Sequence, residues 1–112
     1  MRPITQTLSD ASGGAKATPV IPLDIYPTPF NVSLQANVTG AATFTVEFTN
    51  DDVFAVGYDP NAGTSLWTPI TGMTAASADA NATLISPVTA VRMRLTAGAG
   101  SVVLRITQSG IQ

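Results

Sequence analysis

The chain has 112 residues, of which 45% are hydrophobic and only 11% are charged, and it contains no Cys and no His. This length predicts one domain, residues 1–112, and the missing residue types exclude disulfide bonds, thiolate or imidazole metal ligands and nucleophiles activated by His. Because the formal net charge is −2 and there are five basic residues, we expect no binding to nucleic acid through phosphate neutralisation.

The first part of the chain predicts edge strands and loops. Residues 3–8 predict a short first strand, and the composition of residues 9–15 predicts a flexible loop. Residues 18–26 carry apolar side chains but are interrupted by Pro19 and Pro22. Because proline cannot donate a hydrogen bond to a β-ladder, this segment is predicted to be an edge strand or an extended crossover.

Two alternating segments in the middle of the chain predict an antiparallel hairpin. Apolar and polar residues alternate over residues 30–38 and again over residues 44–48. This period of two is typical of strands that bury one face and leave the other in water. The sequence Thr39-Gly40-Ala41-Ala42 between them predicts a turn, so we expect the two strands to pair.

The C-terminal segment predicts a second hairpin with a defined register. Residues 91–95 and 102–106 both alternate, and Gly98-Ala99 between them suits a two-residue type II′ turn. A slip of one residue would turn half of the apolar side chains into water, which favours an even register. The predicted facing pairs are Leu95 with Val102, Met93 with Leu104, and Val91 with Ile106.

The remaining segments predict short strands and loops. Residues 50–64 are predicted to be a long connection, and residues 66–70 and 83–87 to be short strands. Residues 71–82 predict a loop, with a turn or two of helix at 74–82 as the alternative. About seven short strands separated by turn signals indicate an all-β chain, an antiparallel β-sandwich of jelly-roll or immunoglobulin-like type.

The side chains predict no catalytic residue, no cofactor site and no metal site. Five of the seven acidic residues lie in predicted loops, where Asp favours turns. Glu47 is the acidic residue that lies within a regular predicted strand, on its wet face. Since no two carboxylates share a strand face, the paired acids of general acid–base catalysis are missing, and we expect a protein that is not an enzyme.

Three of the five basic residues fall in the predicted C-terminal hairpin. Its register places Arg92, Arg94 and Arg105 on the outer face, with Arg92 opposite Arg105. One interpretation is a solvated face balanced by Glu47 or a nearby Asp. The other is a contact patch for an acidic protein surface, because Arg is favoured at interfaces.

Trp67, Tyr26 and Tyr58 are the aromatic residues that carry a polar group. One interpretation is that they plug the ends of the sandwich. The other is that they contact a partner, for example by stacking on a sugar, with Trp67 as the candidate aromatic contact.

No targeting or membrane segment is expected from the sequence. Residues 1–7 carry one positive charge, at Arg2, but no apolar run follows it, so a secretory signal is not expected. No apolar stretch approaches the roughly 18 residues of a membrane helix. We therefore expect no membrane partner.

Several segments follow one another in a characteristic order. They are Met-Arg-Pro-Ile-Thr-Gln-Thr at the start, Thr-Pro-Phe-Asn-Val at 28–32, Phe-Thr-Val-Glu-Phe-Thr at 44–49 followed by Asp51-Asp52, Trp67, Thr-Ala-Ala-Ser-Ala-Asp at 74–79, Pro-Val-Thr-Ala-Val-Arg at 87–92, and Thr-Ala-Gly-Ala-Gly at 96–100, with an end near Gln108. In this order, nearly the whole chain resembles the small β-sandwich virion proteins encoded among the structural genes of tailed bacteriophages.

The resemblance implies a structural component of the virion, made in the cytoplasm of the bacterial host and present in many symmetric copies. It implies a capsid decoration (cement) or head-fibre protein whose partners are other copies of itself, for which a trimer would suit, and the major capsid protein. It also implies no cofactor and no active site. The alternatives are a head–tail or tail component of the virion, and a carbohydrate-binding module that uses exposed aromatic residues.

Overall fold

The computed structural model describes residues 4–23, 31–60, 65–84 and 88–109. These residues form nine β-strands and no helix, arranged as two antiparallel sheets that pack together, so the prediction of a β-sandwich is confirmed. The strands are β1 (Ile4–Ser9), β2 (Lys16–Ala17), β3 (Ile21–Pro22), β4 (Asn31–Thr39), β5 (Thr43–Thr49), β6 (Thr68–Pro69), β7 (Ala80–Leu84), β8 (Ala90–Ala97) and β9 (Ser101–Ser109).

The strand order defines the type of sandwich. Sheet 1 has the order β1-β9-β4-β7, and sheet 2 has the order β2-β8-β5-β6, with β3 also paired to β8. Since β2 and β3 follow one another along the same edge of β8, with Pro19 between them, they act as one interrupted strand. With β2 and β3 counted as one strand, the first strand pairs with the last, the second with the last but one, β4 with β7, and β5 with β6. This is the double Greek-key order of a jelly roll.

Both predicted hairpins are wrong, because each of their connections crosses from one sheet to the other. β4 lies in sheet 1, whereas β5 lies in sheet 2; β8 and β9 are divided in the same way. Leu95 pairs with Phe44 of β5, and Val102 pairs with Val38 of β4. The apolar sets of β8 and β9 therefore meet across the core rather than side by side in one sheet.

The two crossing connections lie against each other. Thr39, at the end of β4, pairs with Ser101, at the start of β9. The Gly100 amide donates to the carbonyl oxygen of Ala41 at 2.8 Å. Gly98 has a φ of 96°, and a Cβ at this position would overlap the Ala41 carbonyl. Glycine is therefore required here, because only glycine combines a positive φ with this close approach.

The core follows the predicted alternation. Most inward residues of the long strands are fully buried, whereas Val38 and Phe48 are partly buried, and Met73 joins the core from the segment between β6 and β7. That segment bonds irregularly to β5: the Val46 amide donates to the Met73 carbonyl at 2.9 Å, and Phe44 forms a bridge with Ala76. The alternative of a helix at 74–82 is wrong, since this stretch forms the bridge and the start of β7.

The short predicted elements are found with shifted bounds. The predicted strand at 66–70 is confirmed as β6, and the strand predicted at 83–87 corresponds to β7, which begins at Ala80. Residues 85–87 and residues 24–26, with Tyr26, lie outside the described residues. In the part of the chain that the structure describes, no helix is long and apolar enough to cross a membrane.

Candidate interaction site

The three predicted contact arginines do not form one patch. Arg92 and Arg94 lie on β8 in sheet 2, whereas Arg105 lies on β9 in sheet 1. Because the two outer faces point to opposite sides of the sandwich, the prediction that Arg92 lies opposite Arg105 is wrong. Arg105 instead pairs in register with Thr5 and Gln35. A hairpin of β8 and β9 would place all three arginines on one sheet face, whereas the two strands belong to different sheets.

Arg92 forms a buried ion pair with Glu47 on the outer face of sheet 2. The two residues are directly opposite on β8 and β5, and Arg92 Nε lies 2.9 Å from Glu47 Oε1. Each side chain is only 10% exposed. Glu47 thus balances Arg92, as the first interpretation expected, but the pair is buried rather than solvated. Arg94 and Arg105 are exposed.

Trp67 helps to cover this ion pair. The Arg92 guanidinium lies 4.3 Å from the centroid of the indole ring, a cation–π distance. The Trp67 Nε1 donates to the Pro60 carbonyl at 3.1 Å, and Arg92 Nη1 donates to the same oxygen at 3.2 Å. Residues 50–60 and 65–67, which we name the covering loop, therefore fold onto the outer face of sheet 2.

Asp51 ties the two ends of the covering loop together. Its Oδ2 accepts hydrogen bonds from the Leu66 amide at 3.0 Å and from the Tyr58 hydroxyl at 3.1 Å. Its backbone is anchored as well, since Thr89 Oγ1 donates to the Asp51 carbonyl at 2.6 Å. Thr49 Oγ1 donates to the Leu66 carbonyl at 2.7 Å. These bonds fix the loop to β5 and to the start of β8.

The middle of the covering loop projects apolar side chains into solvent. Asp52 Oδ1 accepts from the Phe54 amide at 3.1 Å, and the Tyr58 amide donates to the Ala55 carbonyl at 3.1 Å. The first turn precedes Val56, and the second, over residues 55–58, contains it. The large hydrophobic side chains exposed among the described residues all belong to this loop, and we name them the apolar tip: Phe54 at 75%, Val56 at 105% and Leu66 at 71% exposure.

Sequence reasoning did not assign a contact role to the apolar tip. The signal was present in residues 50–67, where Phe54 and Val56 lie in a predicted connection together with three Asp residues. A strand would have hidden such residues in the core. A connection between strands has no face that packs on the core, so its large apolar side chains are expected to be exposed.

A groove of about 490 Å³ opens between β6 and β7, the outermost strands of the two sheets on one side. Its lining combines the apolar side chains of Phe48, Ile70 and Leu84 with Thr and Asn side chains. No charged side chain lines it. Among the described residues there is also no group of three or more acidic side chains arranged to hold a metal ion.

Searches of protein-family models and of curated proteins find no match to this chain. The resemblance to phage virion proteins therefore stays a prediction from the sequence. The fold and the covering loop are the observations on which a function can be based.

Proposed function

We propose that this protein is a non-enzymatic structural protein of a tailed-phage virion that decorates and stabilises the capsid. Its partners are the major capsid protein and other copies of itself. The observation that carries the proposal is the strand order β1-β9-β4-β7 over β2-β8-β5-β6. This jelly-roll order is used by viral capsid domains, and also by lectins and cupins.

The filled interior favours a role based on surface contacts over a role based on an internal site. Side chains such as Leu34, Phe44, Met93 and Leu104 are fully buried between the sheets. A metal site of the cupin kind needs inward-facing imidazole or carboxylate ligands, and the sequence has no His.

The outer face of sheet 1 offers a weakly charged surface for neighbouring subunits. Its four strands contain one charged residue, Arg105. Weak contacts of such a surface become effective when symmetric copies multiply them. The exposed residues on this face include Thr5, Thr7, Ser33, Gln35, Asn81, Thr83, Arg105 and Thr107.

The copy number in purified particles tests the proposal. Virions of the phage that encodes the chain would be purified, and the protein quantified by mass spectrometry against the major capsid protein. We expect on the order of hundreds of copies per particle, as symmetric decoration of a shell requires. Absence from the virion would contradict the proposal, and a few copies in a ring would favour a head–tail or tail component.

A carbohydrate-binding module is the second candidate, because jelly rolls also form lectins and Trp67 remains half-exposed. One side of the indole is occupied by Arg92, which leaves less of the ring for a sugar. A glycan array would test this alternative. Binding by the wild-type protein that is lost in a folded Trp67→Ala variant would support it.

A further inference from the structure

The apolar tip is held in place although its side chains are exposed. The Asp52 carboxylate accepts from the Phe54 amide, and the Asp51 carboxylate fixes Leu66. The loop is also anchored to the sandwich by Trp67 over Arg92. A rigid apolar projection loses little conformational freedom when it is buried against a partner, which favours binding.

The charges around the apolar tip select the class of partner. Residues 50–67 contain Asp51, Asp52 and Asp59 and no Lys or Arg. Asp52 lies beside Phe54, and its negative charge is repelled by the phosphates of nucleic acid and by anionic lipid headgroups. It is complementary to a protein surface on which Lys or Arg surrounds an apolar pocket.

A second copy of this chain is a poor receptor for the apolar tip. The apolar groove between β6 and β7 is lined by uncharged residues. The exposed cations among the described residues, Lys16, Arg94 and Arg105, lie outside that groove. In a second copy, this groove therefore does not combine an apolar pocket with a basic rim.

From these observations we propose that the apolar tip is the docking surface for the capsid shell, and that it inserts into an apolar socket rimmed by Lys or Arg on the shell protein. The inference rests on the proposed function, which supplies the shell as the partner. Within that function it assigns attachment to Phe54 and Val56 of the covering loop. Self-association is assigned to the outer face of sheet 1.

Reconstitution on particles that lack the chain tests this assignment. Particles from a phage with the gene deleted would be mixed with purified protein, and retention measured by co-sedimentation over a concentration series. We expect the double variant Phe54→Ser/Val56→Ser to bind at least about tenfold more weakly per removed side chain. Because both side chains are exposed, its urea unfolding midpoint should equal that of the wild-type protein.

Two further variants control for surface apolarity and for charge. Ala99→Ser changes an exposed apolar residue in the connection between β8 and β9, outside both the apolar tip and the outer face of sheet 1, and should leave attachment unchanged. Asp52→Asn keeps the oxygen that accepts from the Phe54 amide but removes the charge. It should weaken attachment at low salt, and the difference should shrink as salt screens the rim.

The outcomes separate this inference from the proposed function. If the particles do not retain the wild-type protein, the proposed function is contradicted, and the shell is no longer the partner of the apolar tip. Retention of the double variant at wild-type strength would contradict the apolar tip alone. A wild-type dimer in analytical ultracentrifugation that the double variant abolishes would overturn the inference, since the tip would then bind a second copy.

Discussion

Glu47 of β5 and Arg92 of β8 lie directly opposite each other on neighbouring strands and form an ion pair beneath Trp67. The pair lies on the outer face of its sheet, where a strand pattern alone predicts solvent. The covering loop shields it, and the Pro60 carbonyl accepts a hydrogen bond from Arg92 Nη1 at 3.2 Å. The ion pair and the loop therefore stabilise each other.

Arg92→Ala should destabilise the protein strongly, because it leaves the Glu47 carboxylate buried without its ion-pair partner. We expect a loss of about 3 kcal/mol in the free energy of unfolding measured by urea denaturation. Arg94→Ala removes an exposed arginine from the same strand and should change the value by no more than about 0.5 kcal/mol. Equal effects of the two variants would contradict a buried ion pair.

Gly98→Ala should destabilise the crossing between the two sheets. The new Cβ would overlap the Ala41 carbonyl, and alanine is strained at a φ of 96°. We expect a loss of at least about 2 kcal/mol in thermal or urea unfolding. Gly13→Ala is the matched control, since a Cβ at Gly13 meets no atom within 4 Å. A Gly98→Ala variant as stable as this control would show that the close approach is absent.

Asp51→Ala should release the covering loop while the sandwich stays folded. The variant removes the carboxylate that accepts from the Leu66 amide, so hydrogen exchange at Leu66 should become faster. The amide of Met93, whose side chain is fully buried in the core, should keep its protection.

Asp79→Ala serves as the control for this measurement, because it removes a similar carboxylate–amide bond, to Val38, elsewhere in the fold. It should leave exchange at Leu66 unchanged. Faster exchange at Leu66 in both variants, or in neither, would contradict the role of Asp51 in closing the loop.

Asp10 should titrate below the usual range of an aspartate. The Ser12 hydroxyl and the Ser12 amide both donate to its Oδ1, and they lower its pKa, with a smaller contribution from Lys16. Since the pKa is lower in the folded state, its contribution to stability is present above the ordinary Asp value of about 3.9 and is lost as the pH falls through the folded-state pKa.

NMR titration of the Asp10 carboxyl carbon would measure this shift directly. Ser12→Ala removes the hydroxyl bond and should raise the Asp10 pKa towards its ordinary value. Ser33→Ala, on the exposed face of β4, should not change it. An unchanged titration of Asp10 in Ser12→Ala would rule out the hydroxyl as the main cause.

The sequence predicted the inward residues well because strand alternation is a local property. Val32 and Leu34 on β4, and Leu104 and Ile106 on β9, are buried as the period of two requires. The contents of the covering loop were harder to predict. Residues 50–67 contain no pattern that predicts the contact between Trp67 and Arg92. The two residues lie 25 positions apart in the chain.

By itself, the sequence determined the positions of the long strands, the side chains that face the core and the missing His and Cys chemistry. Only the tertiary structure decided which strands pair, and hence that β8 and β9 belong to different sheets. The physical reason is that a hairpin and a crossing between sheets bury the same alternate residues. The choice between them depends on contacts between distant segments, such as the fit of Gly98 against Ala41.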